Sequence, residues 1–182
     1  MSRIGKRKIA INEKVKVRLD PGSLLLSSDK GEMKISIPPE LTINLSDNSL
    51  LCERINDEKK SRALQGLVAR IIKTRIDDLS NGFKKVLEFK GTGYRARVEN
   101  GKLILGMGYS HEIELDIPEG IEVSVVKNQI IIFGSHRNLI GDFAARVRDV
   151  RPPEVYKGKG IKYAGEHVRR KAGKAAQSAG AK

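Results

Sequence analysis

Cysteine is nearly absent from this chain: Cys52 stands alone among 182 residues. One thiol cannot close an internal disulfide, so nothing points to an oxidising compartment. No apolar run approaches the roughly 20 residues that a membrane-crossing helix needs. The amino terminus is charged but shows neither the apolar centre nor the small-residue cleavage site of a secretory signal. The serine-rich, acid-free stretch of a transit peptide does not follow it either, and a cytoplasmic protein without membrane contact is expected. Histidine is scarce. His111, His136 and His167 are too scattered, beside a single cysteine, to compose a zinc site. The glycines do not make a nucleotide loop, because Gly101-Lys102 is preceded at the required place by Ala96 and followed by Leu103. Gly91 and Gly93 lack the third glycine of the dinucleotide fingerprint. No cofactor, metal or small-molecule substrate is implied.

Positive charge is what the chain has in excess: 35 Lys and Arg against 22 Asp and Glu, a formal net charge of +13. With 31% charged and 39% hydrophobic residues, this describes a globular protein whose partner is polyanionic. The excess is polarised. From Arg151 onward there are nine Lys or Arg and only Glu154 and Glu166, so +7 of the +13 lies in the final segment. A smaller group, Arg3, Lys6, Arg7 and Lys8, opens the chain and suits either a phosphate-binding arm or a frayed end. In the final segment Pro152 and Pro153 stop the preceding helix. Tyr156 and Tyr163 set flat rings among Lys157, Lys159 and Lys162, a pattern suited to stacking on unpaired bases while lysines neutralise phosphate. Arg169, Arg170, Lys171 and Lys174 continue the basic strip, the arginines as forks to phosphate. Two other accounts stay open: a merely solvated basic tail, and tyrosines that anchor the tail to the preceding module instead of stacking.

The body of the chain repeats. Residues 34–53 parallel residues 114–133 at an offset of 80, with Ile37-Pro38 on Ile117-Pro118 and Leu41, Ile43 and Leu45 on Ile121, Val123 and Val125. Apolar and polar residues alternate with the period of half-buried strands, and Asp47-Asn48 and Lys127-Asn128 supply turns. The offset then becomes 75, placing Leu64, Val68, Ala69 and Ile72 on Leu139, Phe143, Ala144 and Val147. Leu64, Leu67, Val68, Ile71, Ile72 and Ile76 have helical spacing, with Asn56 or Asp57 as caps. Leu139, Ile140, Phe143, Ala144 and Val147 have it too. Upstream, Gly22, Leu24 and Leu26 echo Gly101, Leu103 and Leu105, so each copy begins with a hairpin. The expected fold is α+β: a tandem of two small modules, each of antiparallel strands plus one helix, over 1–81 and 82–150. A basic extension over 151–182 packs on the second module.

Several residues have a chemical and a structural reading. Cys52 falls opposite Ile132 on a strand, the place of a small buried hydrophobe. Arg95 and Arg97 share one strand face with Tyr94 on the other, so the arginines either clamp phosphate or face the nearby carboxylates. Glu112, Glu114 and Asp116 alternate with Ile113, Leu115 and Ile117, the pattern of a solvated sheet face and not of a hydrolase cleft. Ser110 and His111 end a Gly-Tyr-Ser-His run, where His111 either donates to phosphate or caps a strand. Arg146 and Arg148 suit the negative end of a helix dipole. Arg151 begins the basic strip and is the better candidate for RNA.

The run RPPEVYKGKGIKY with EHVRRKAGK, the stretch GTGYRARVENGKLILGMGYSH from Gly91 to His111, and the opening MSRIGKRKI closely resemble the bacterial large-subunit ribosomal protein six family. The usual family form has Pro where Val155 stands, and often Pro at Asn12. The resemblance covers essentially the whole chain. It implies a non-enzymatic structural protein that binds large-subunit rRNA among neighbouring ribosomal proteins. It also implies a place near the factor-binding region, beside the sarcin–ricin loop, with the second domain and tail in contact with RNA. A free RNA chaperone or architectural RNA-binding protein is the alternative.

Overall fold

The computed structural model describes residues 5, 7–46 and 48–171. Asp47, Arg3, Lys6 and Lys174 lie outside them. The chain divides into two compact units, Met1–Gly82 and Phe83–Lys182.

The first unit contains β1 (Ile9–Ala10), β2 (Lys16–Asp20), β3 (Ser23–Ser28), β4 (Gly31–Ser36), β5 (Leu41–Ser46), β6 (Ser49–Arg54) and α1 (Lys59–Asn81). The second contains β7 (Phe83–Lys90), β8 (Arg95–Glu99), β9 (Lys102–Gly106), β10 (Ile113–Asp116), β11 (Ile121–Val126), β12 (Gln129–Gly134), α2 (Arg137–Val150) and β13 (Gly160–Tyr163). The first builds sheets β1-β6-β5 and β2-β3-β4; the second builds β11-β12-β7-β13 and β10-β9-β8. Every pairing is antiparallel.

The ladders repeat as the sequence does. Ile43 faces Cys52 in one unit and Val123 faces Ile132 in the other, each hairpin closing over two residues. At Asn100-Gly101 both φ angles are positive, 50° and 73°, the twist-matched turn that an Asn-Gly pair favours because neither residue is strained there. Alternate side chains point inward. Leu24 and Leu26 of β3, and Leu103 and Leu105 of β9, are fully buried at equivalent places. Each unit closes its own core under its own helix. Val68 and Phe143 occupy matching buried helix positions, as do Ile72 and Val147. Burial of a side chain such as Phe143 contributes about 1.5–3 kcal/mol.

Three apolar helix residues differ from expectation. Leu67 (56% exposed), Ile71 (36%) and Leu139 (41%) face outward. Successive helical residues turn by about 100°, so Leu67-Val68, Ile71-Ile72 and Leu139-Ile140 cannot both enter one core. Val68, Ile72 and Ile140 take the sheet-facing side. The expected caps are also absent. The residue before α1 is Glu58, with no side-chain cap. Asn56 instead accepts from the Ser61 hydroxyl, and Asp57 accepts from Arg54 Nε at 2.6 Å. Competing local partners engage both side chains. Cys52 is 2% exposed, and burial pushes its thiol pKa up.

The units part company in two ways. α1 has 23 residues and α2 has 14. The second sheet also gains β13 beside β7, with Ile161 opposite Phe89 and fully buried. The segment after α2 is thus partly core. No described helix is long and apolar enough to cross a membrane.

Candidate nucleic-acid interface

Helix α2 stops at Val150, where the Pro152-Pro153 pair removes two donors. The chain then turns tightly. The Gly158 N–H donates to the Glu154 carbonyl at 3.1 Å, the Glu154 N–H to the Lys159 carbonyl at 2.7 Å, and the Ile161 N–H to the Arg151 carbonyl at 2.7 Å. Gly160 has φ +133°, and a Cβ there would sit 2.5 Å from the Pro152 carbonyl oxygen. Only glycine lets the two backbone segments approach so closely. Residues 154–159 therefore form a loop pinned at both ends, by α2 and by β13.

The chain beyond β13 is also tied back. Glu166 accepts from Arg148 Nη2 at 2.7 Å and Nε at 3.3 Å, and from the Tyr163 N–H at 2.9 Å. The Arg148 bond and the Tyr163 N–H hold the Glu166 carboxyl below its ordinary pKa, outweighing the partial burial that pushes it up. The Lys171 N–H returns to the Val155 carbonyl at 2.9 Å. Arg148 is thus an anchor for the extension, beyond the helix-dipole role its position suggests.

The two tyrosines separate. Tyr156 is 55% exposed at the tip of the pinned loop, beside exposed Lys157 and half-buried Lys159. Tyr163 is half-buried against the core of the second unit, with Lys85 Nζ 4.9 Å and the Arg148 guanidinium 5.7 Å from its ring centre. Cations of the same chain stand over its ring, the arrangement that the anchoring account expects. Lys162 lies 3.5 Å from Glu88. Arg169, Arg170 and Lys171 are exposed, and the Arg170 guanidinium lies over the backbone of Gly158. Lys90, Gly158, Lys162, Glu166, His167, Val168 and Arg170 line a cleft of about 360 Å³. Three cations and a histidine against one carboxylate, itself engaged by Arg148, leave this cleft electropositive.

A second group gathers at the end of α2. The Tyr109 hydroxyl donates to the Val150 carbonyl at 2.9 Å, and the Arg151 guanidinium stands 4.9 Å from the Tyr109 ring centre. The Tyr94 ring packs on Gly91 and Gly108 and joins the core edge. Ser110 and His111 are exposed neighbours, 3.4 Å apart at Oγ and Nδ1. Tyr109 was missed as a candidate although it sits inside the Gly-Tyr-Ser-His run. Lys90 was missed because only the β7–β13 pairing brings it to the cleft.

Arg95 and Arg97 lie on the outer face of β8. The Arg97 fork is occupied: its Nη1 and Nη2 meet Glu112 at 2.7 and 2.6 Å, and its Nε meets Glu99 at 3.0 Å. The bond from Arg97 holds the Glu112 carboxyl below its usual range. Lys102 likewise meets Glu114 at 3.0 Å and Asp116 at 3.7 Å. The acidic strand is a counter-ion row for its neighbours. Arg95 is exposed at its border. At the other end of the chain, Arg7 and Lys8 are exposed.

Fold and surface together define a duplicated α+β protein with a basic surface on its second unit. The family model described as Ribosomal protein L6 matches residues 90–164, from the end of β7 through β13. Large ribosomal subunit protein uL6 of Dictyoglomus thermophilum is 48% identical over 177 residues, covering 96% of this chain and 98% of the relative. The protein of the same name from Synechococcus sp. (strain JA-2-3B'a(2-13)) is 44% identical over 179 residues, covering 98% and 99%. That of Listeria welshimeri is 45% identical over 175 residues, covering 96% and 98%. The chain belongs to the uL6 family of large-subunit ribosomal proteins.

Proposed function

We propose that this chain is a structural, non-catalytic constituent of the large ribosomal subunit that binds and stabilises rRNA through the pinned loop 154–159 and the basic strip after it. One observation carries the reading: Tyr156 is exposed in a loop fixed at both ends, and Gly158 of that loop lines an electropositive cleft. A preset loop loses little conformational freedom on binding, so ring and lysines meet RNA already arranged. Phosphate contacts set affinity and shape fit sets position, as expected for folded RNA. The likeness of the motifs at 91–111 and 151–174 to the family supports a place on the sarcin–ricin side, near the translation-factor region, among neighbouring ribosomal proteins. In that reading Tyr94, Ser110, His111 and Arg151 form a second contact, and Arg95 a peripheral one.

The test is a salt titration with a large-subunit rRNA fragment. Counterion release predicts that Lys157→Ala with Lys159→Ala lowers the log–log slope by roughly 0.7 to 0.9 for each phosphate no longer neutralised. An unchanged slope would show that the loop does not touch phosphate. A free RNA chaperone would bind unrelated RNAs with equal affinity, and in lysate would not sediment with large subunits at high salt.

A further inference from the structure

The duplication supplies an internal comparison. In the register of offset 75, the buried residues Val68, Ala69 and Ile72 of α1 match the buried residues Phe143, Ala144 and Val147 of α2. The outward residues do not match. Leu67 stands where α2 has Asp142, and Ile71 where it has Arg146. The module covers its sheet equally well with a charged pair at these places, so the fold does not require aliphatic side chains there. Yet both are exposed, Leu67 at 56% and Ile71 at 36%, one turn apart on one face.

Their surroundings are mainly cationic, with exposed Asp77, one turn beyond Lys73, as the acidic exception on that side. Residues 59–76 contain six Lys or Arg and no Asp or Glu. Lys60 is engaged by Glu40 at 2.9 Å, and Arg75 approaches Asp78 at 3.9 Å. Lys59, Arg70 and Lys73 are exposed. At about 100° per residue they fall together on one side of the Leu67–Ile71 stripe. A nucleic-acid surface would use the cations but gains nothing from two aliphatic side chains facing sugar and phosphate. The helix also carries no aromatic ring on which a base could stack. A protein segment with aliphatic anchors and carboxylates uses both halves of the face.

We propose that the outer face of α1 is a docking surface for an acidic segment of a protein partner, with its aliphatic side chains on Leu67 and Ile71 and its carboxylates against Lys59, Arg70 and Lys73. This surface belongs to the first unit and does not depend on the RNA reading of the second.

The probe is a labelled helical peptide with Leu along one face and Glu along the other, titrated against the full chain by fluorescence anisotropy. A peptide of the same composition in scrambled order and a short RNA duplex run beside it. The amphipathic peptide is expected to bind more tightly than the scrambled one. Leu67→Asp combined with Ile71→Arg takes both residues from α2 and leaves net charge unchanged. It should weaken the amphipathic peptide about tenfold, a loss of about 1.4 kcal/mol, without moving the duplex. Arg70→Glu with Lys73→Glu, at exposed positions, should weaken it too, and carries the test if the first variant lowers the melting temperature. Equal binding of scrambled and amphipathic peptides, or no effect of either variant, overturns the proposal. A matching loss of duplex affinity makes the face an RNA surface and also overturns it. Self-association of the full chain that Leu67→Asp with Ile71→Arg abolishes would assign the face to a second copy instead.

Discussion

Tyr156 and Tyr163 are seven positions apart in one basic strip, and the structure gives them different surroundings. Tyr156 is 55% exposed, whereas the Tyr163 ring is half-buried with Lys85 and Arg148 over it. Tyr156→Leu should therefore weaken rRNA binding by about 1–3 kcal/mol, the range for removal of one base–aromatic stack. It should leave the melting temperature and the salt slope nearly unchanged, since neither core nor charge is touched. Tyr163→Leu should do the reverse. It removes two cation–ring contacts, together on the order of 1–2 kcal/mol when partly shielded from water, and loosens the packing around β13. Thermal denaturation and RNA titration of both variants check the split. Equal loss of affinity with no change in melting would return Tyr163 to the RNA surface.

At the scale of elements, the strand β13 changes what the extension is. A chain ending at Val150 loses Ile161 from the core and leaves β7 as an open edge over Leu87 and Phe89. Such a chain should be destabilised by at least the 1.5–3 kcal/mol of roughly one buried aliphatic side chain. A chain ending after Val168 should melt close to the full protein, because β13, the Arg148–Glu166 pair and the Tyr163 contacts remain. Calorimetry of the two truncations distinguishes them. The sequence made the repeats legible because their apolar positions recur at fixed offsets. The two-residue turns showed because few residue types tolerate them. β13 escaped notice because Ile161 is a lone apolar residue among lysines and glycines. Its partner strand lies some 70 residues earlier, beyond any local periodicity. The cleft at Lys90 was hidden for the same reason. The caps of α1 failed on a local matter, since Arg54 and Ser61 compete for Asp57 and Asn56.

At the scale of the molecule, each unit encloses a separate core, and the basic surface belongs to the second. That separation is testable with one substitution in each unit at matched positions. Val68 and Phe143 are both buried on the inner face of their helices, 5% and 0% exposed. Aspartate at either place buries an unpaired charge, a destabilisation on the order of 3 kcal/mol or more. Phe143→Asp should collapse protection of amides in the second unit and, with it, rRNA affinity, because the loop 154–159 depends on α2 and β13 for its shape. Val68→Asp should collapse protection in the first unit, leaving rRNA affinity and its salt slope close to the unsubstituted protein. Hydrogen exchange resolves which unit opens, and the salt titration reads binding in the same samples. If Val68→Asp were to abolish binding while the second unit stayed protected, the first unit would carry RNA contacts of its own. The concentration of +7 of the +13 net charge after residue 150 argues for the opposite result.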